Sequence, residues 1–148
     1  MTHYQPALNP ETIPWVPLRQ GLSMRPLRFE RSGYSLQLRL EPGTRIGPHR
    51  HTGPVHALNL SGARRLIEAD EIVEPGDFVY EPAGNTDSWE CFGDAPCVVQ
   101  ITLRGRVEYL DDAGAVIDHS DSQTAEVAYR AHCASLGIAP DERIIGSQ

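Results

Sequence analysis

Apolar and polar residues alternate along several short stretches of this chain, most cleanly between Tyr34 and Leu40. Tyr34, Leu36, Leu38 and Leu40 occupy one phase there, and Ser35, Gln37 and Arg39 the other. A period of two marks a strand with one buried face. Val55–Leu60, Arg64–Glu68, Phe78–Glu81, Ser88–Cys91 and Cys97–Leu103 are further strand candidates. Pro and Gly punctuate the intervals, as at Pro42-Gly43, Gly53-Pro54 and Pro75-Gly76, which is the spacing of a sandwich or barrel. Arg106–Leu110 and Ala115–Asp118 read as a hairpin closed over the turn from Asp111 to Gly114.

The pattern changes near both ends. From Ser122 to Leu136 the residues turn to Ala, Glu, Gln and Arg, which predicts one helix with Ser122 or Thr124 as N-cap. Gly137 stands where a C-terminal glycine belongs, and Pro140 follows. The first thirty residues hold five Pro and predict an extended arm that packs Trp15 and Val16 onto the sheet or onto a partner subunit. The expected organisation is all-β and single-domain: an arm over 1–30, a barrel over 31–120, and a helix with tail over 121–148.

At 148 residues and 16.3 kDa the chain can bury one core but not two. A formal charge of −7 argues against nucleic acid or an anionic membrane surface as partner. All thirteen basic residues are Arg, so Schiff-base chemistry through a lysine is excluded. Three Cys without a CxxC pattern read as reduced, buried thiols and predict a cytoplasmic protein rather than a disulfide framework.

His49 and His51 carry the chemistry. Residues i and i+2 of a strand share a face, so two imidazoles there can converge on one divalent ion. The alternative reading is a pair of surface histidines. His56 shares phase with Leu58 and Leu60 and is expected in a packed layer, either as support for the ligands or as a core residue. Glu68 and Glu81 are possible supporting acids, although strand-end glutamates are usually solvated. Gln100 and Thr102 either line a polar pocket or face water while Cys97, Val99, Ile101 and Leu103 fill the core. Trp89, Phe78 and Tyr80 are expected to pack the barrel, and Arg64-Arg65 to sit on a solvated strand, though one of the two could meet an anionic substrate. His3, His119 and His132 have no partner pattern.

The spacing Gly43, five residues, His49-x-His51, then Gly62 resembles the first motif of the cupin superfamily. Gly76, five residues, then Pro82-x-Gly84 resembles the second, with Asp87 where that motif has a His. Trp15–Leu18, Arg25–Phe29, Leu38–Gly43, His49–His56, Tyr80–Gly84 and Tyr129–Cys133 look like the 2,4′-dihydroxyacetophenone dioxygenase-like cupins, relatives of acetylacetone dioxygenase and of ChrR-type anti-sigma factors. The resemblance implies a jelly-roll barrel with a divalent metal inside, Fe(II) foremost, with Zn, Ni or Mn as alternatives. By position the ligands would be His49, His51 and Asp87. Val55 stands where many cupins carry a Glu. The implied reaction is cleavage of a carbon–carbon bond in a small diketone or hydroxyacetophenone-like substrate by O₂. The implied alternative is a zinc- or small-molecule-binding sensor of ChrR type. Such cupins resemble homodimers joined through their N-terminal arms.

Overall fold

The computed structural model describes residues 4–146; residues 1–3, His3 among them, and 147–148 lie outside the described residues. Among the described residues, besides two single-turn 3-10 helices at Pro10–Thr12 and Glu142–Ile144, twelve strands and one α-helix follow in order: β1 (Val16–Arg19), β2 (Leu22–Glu30), β3 (Gly33–Leu40), β4 (Arg45–His51), β5 (Val55–Ser61), β6 (Ala63–Leu66), β7 (Glu71–Val73), β8 (Phe78–Glu81), β9 (Thr86–Phe92), β10 (Cys97–Arg104), β11 (Val107–Leu110), β12 (Val116–Ser120) and α1 (Ser122–Leu136). They form two six-stranded antiparallel sheets, in the orders β1-β2-β3-β10-β5-β8 and β12-β11-β4-β9-β6-β7. This is the expected all-β jelly roll closed by one helix.

The alternation in β3 and β10 explains the core. Leu36 pairs with Ile101, Leu38 with Val99 and Leu40 with Cys97, so like phases meet across the ladder. Leu40, Cys97 and Val99 are fully buried, each apolar side chain contributing roughly 1.5–3 kcal/mol on removal from water. Gln100 and Thr102 occupy the opposite phase, bonded to Gln37 and Ser35.

Residues 16–30, expected as arm, already belong to the first sheet. Leu22 and Met24 are buried, and β2 pairs along its length with β3. The prolines did not prevent this because Pro26 lies beside a register shift, where a missing N–H breaks no regular ladder bond. Val16 is buried as expected, while Trp15 stacks on the Arg25 guanidinium, 4.3 Å from the ring centroid.

The hairpin β11–β12 forms as the turn residues predict. The helix also forms, but its N-cap is Asp121 rather than Ser122 or Thr124. The Asp121 carboxylate accepts from the Thr124 N–H, and the Thr124 hydroxyl accepts from the Asp121 N–H, a reciprocal cap. Gly137 ends the helix with φ 68°, which only glycine adopts freely.

Candidate functional site

His49 and His51 lie on β4 in the phase that faces the barrel interior, and both are buried, His49 being 2% exposed. Their rings are perpendicular, with centroids 4.9 Å apart. The β4–β9 ladder is interrupted between Ile46 and His49, at Gly47-Pro48, where proline has no N–H to donate. The freed Gly47 carbonyl lies 2.8 Å from His49 Nδ1. A carbonyl can only accept, so Nδ1 carries the proton and Nε2 keeps its lone pair. Burial lowers the pKa of His49 and pushes that of His51 down to about 4, with His49 adding to the effect. Both rings are therefore neutral at pH 7, the form that binds a metal.

Glu81 closes the group from β8. Its Oε2 lies 3.8 Å from His51 Nε2, too far for a hydrogen bond. That separation is within the roughly 4 Å two donors can span when each sits about 2.0–2.2 Å from one ion. His51 Nδ1 is buried without a hydrogen-bond partner, an uncommon state for a polar atom. Two neutral imidazoles and an adjacent carboxylate suit a divalent cation. Among the described residues, however, no three His, Cys, Asp or Glu side chains are gathered closely enough to hold one.

These groups line a cavity of about 240 Å³ whose other walls are mainly apolar, including Leu36, Ile101, Trp89 and Ala125. Arg64 also lines it, 2% exposed, with Nε donating to Asn59 Oδ1 at 3.1 Å and the guanidinium 4.7 Å from the Trp89 ring centroid. Burial lowers the Arg64 pKa. The expectation of a solvated Arg64-Arg65 strand fails for Arg64, because strand alternation turns it inward while Arg65 pairs with Glu90 and Asp70.

Asp87 is buried and is the register partner of His49 across β4 and β9, which places the two on the same face of the sheet. It does not line the cavity. Burial, followed by the charges of Glu81 and Glu68, pushes its carboxyl up to about 7. Glu68 itself accepts from the Ser88 N–H at 2.9 Å and from the Ser88 hydroxyl.

Other expected residues lie apart. His56 is exposed, its ring centroid 5.1 Å from that of Tyr80 and 6.0 Å from that of Phe78. Phe78 and Tyr80 are 60% and 54% exposed and do not pack the barrel, because inner and outer phases alternate on β8 and the inner phase is taken by Glu81. Neither Gln100 nor Thr102 lines the cavity. Sequence reasoning leaned toward solvent for Glu81 and Arg64. No local pattern signals the acid, because its place depends on the pairing of Val55 with Glu81 across β5 and β8.

A family model described as a ChrR cupin-like domain matches residues 4–106. The chain belongs to that family. A search of curated proteins finds no match. Among solved structures, this cupin is similar to an RmlC-like cupin protein from Ralstonia eutropha JMP134. The two share 23% identity over 93% of this chain and 92% of that one, with a TM-score of 0.86. An acetylacetone dioxygenase from Acinetobacter johnsonii is 18% identical over 88% of this chain and 94% of that one, with a TM-score of 0.76. The anti-sigma ChrR, in complex with SigE of Rhodobacter sphaeroides, is 19% identical over 63% of this chain and 49% of that one, with a TM-score of 0.56. At these identities the likeness shows a shared fold.

Proposed function

We propose that this cupin is a mononuclear metal-dependent dioxygenase that cleaves a carbon–carbon bond in a small diketone or hydroxyacetophenone-like compound with O₂. The observation that carries the reading is the pair of buried, neutral imidazoles at the wall of an apolar cavity of about 240 Å³. His49 and His51 would hold the ion, with Glu81 or Asp87 reaching it by side-chain rotation as the third protein donor. Fe(II) is the proposed metal, and Zn, Ni or Mn are the alternatives the same donors accept. A bound ferrous ion would supply the redox chemistry and an electrophilic seat for substrate oxygens. The chain supplies the rest. The Gly47 carbonyl fixes the His49 tautomer, and Leu36, Ile101 and Trp89 keep water from the substrate.

The family match favours a second reading, a non-catalytic zinc- or small-molecule-binding sensor. Metal analysis of protein purified without chelator, followed by O₂ uptake on β-diketones with added ferrous iron, separates the two. Iron with uptake supports the enzyme; tightly held zinc without turnover supports the sensor. Normal metal content in His49→Ala would remove both. Three buried free thiols suit a reducing compartment, for which we propose the cytoplasm.

A further inference from the structure

Outside the histidine cavity, one open groove of about 700 Å³ gathers positive charge that the described residues leave largely uncompensated. Arg31, Arg104 and Arg106 line it, beside Asp121, Ser122 and Gln123 at the start of α1. The protein as a whole carries a formal charge of −7, so three cations against one acid, Asp121, in this lining are a local reversal of sign. Among the described residues, no acceptor meets the guanidiniums of Arg31 and Arg104. Arg106 gives one nitrogen to Glu108 at 2.9 Å. Guanidinium is the side chain best shaped to meet a phosphoryl group through paired N–H donors.

The helix end adds its own donors. α1 is fifteen residues long, and its first turn presents unpaired amides and the positive end of the backbone dipole. The Thr124 amide is taken by the Asp121 carboxylate and the Ala125 amide by the Asp121 carbonyl, which leaves those of Ser122 and Gln123. Ser122 is 2% exposed, and its hydroxyl is buried without a partner, a state that native proteins rarely leave unfilled. Asp121, the only acid lining the groove among the described residues, already accepts from the Thr124 amide and lies 3.6 Å from His119 Nε2.

We propose that this groove binds a phosphoryl oxyanion, held by Arg31, Arg104 and Arg106 against the amide end of α1. The ligand is either inorganic phosphate or the phosphate of a small monoester, and the groove has room for an organic tail. The site is independent of any metal in the cavity.

The test titrates the full chain with inorganic phosphate and with methyl phosphate, following backbone amides by NMR and heat by calorimetry. Saturable shifts at Ser122 and Gln123 are expected. Affinity should fall at least tenfold in Arg31→Ala and in Arg104→Ala, and should weaken as salt rises. Tighter binding of methyl phosphate identifies an ester as the ligand, and equal or weaker binding identifies phosphate itself. Both arginines are exposed, so the variants should keep the wild-type spectrum away from the groove. Absence of saturable shifts, wild-type affinity in Arg31→Ala and Arg104→Ala, or shifts centred on His49 and His51 would overturn the proposal.

Discussion

Val55 and Glu81 face each other across β5 and β8, and Glu81 reaches to 3.8 Å from His51 Nε2. Many cupins carry a Glu at the position of Val55; here the residue opposite Val55 on the neighbouring strand is an acid. Directly opposed residues in an antiparallel pair share a face, so the Glu81 carboxylate stands on the Val55 side of the sheet.

This relationship separates the two possible third donors. Glu81→Gln is expected to weaken metal retention about 10–100-fold, the usual cost of removing a group that supports a ligand. If Asp87 is instead the direct donor, Asp87→Asn will show the larger loss. Competition against a chelator of known affinity measures both. Unchanged retention in both variants would show that the imidazoles alone set the affinity.

Asn59 anchors Arg64, which lines the cavity, to the backbone around it. Its amide nitrogen donates to the Gly62 carbonyl at 3.1 Å and the Val73 carbonyl at 3.4 Å, while its oxygen accepts from Arg64. Asn59→Ala should cost about 2–4 kcal/mol, since it strands a buried charged donor and two carbonyls. Urea unfolding should show this as a lower midpoint at constant slope.

Arg50 on β4 and Arg106 before β11 converge on Glu108, with contacts of 2.9 Å each. These hydrogen bonds, Arg50 first, hold the Glu108 carboxyl below its ordinary value. A carboxyl lowered on folding adds stability above its unfolded pKa and loses it as pH falls through the folded value. The Tm gap between wild type and Glu108→Gln should therefore stay constant from pH 7 to pH 5 and narrow only as pH falls below the ordinary carboxyl value of 4.5. A gap independent of pH would show that packing, not charge, sets the difference.

The first turn of α1 forms part of the cavity wall through Thr124 and Ala125. Asp121→Ala removes the cap and should cost about 1 kcal/mol. Hydrogen exchange should then quicken at Thr124 and Ala125 before it does at Tyr129, which is buried against Phe29 with ring centroids 6.0 Å apart.

Much of the fold was legible because local signals agreed with one another. The alternation of β3 and β10, the hairpin over Asp111–Gly114 and the Gly137 stop all occur where the chain's own pattern puts them. β1 and β2 escaped notice because five prolines outweighed the alternation of Leu22 and Met24. His56 was misplaced for a different reason. It does share phase with Leu58 and Leu60, but Leu58 is only half-buried and Leu60 is exposed on the outer face of the sheet. Period two names two faces without saying which is inside.

Strand periodicity, the family motifs and two imidazoles on one strand face were legible from the residues alone, because these depend only on spacing along the chain. Packing settled which acid stands beside them, that Arg64 is buried rather than solvated, and that Arg31 shares one groove with the distant Arg104 and Arg106. Those outcomes depend on register between strands and on which face the second sheet covers. Both are set by the collective burial of the core, which no local pattern encodes.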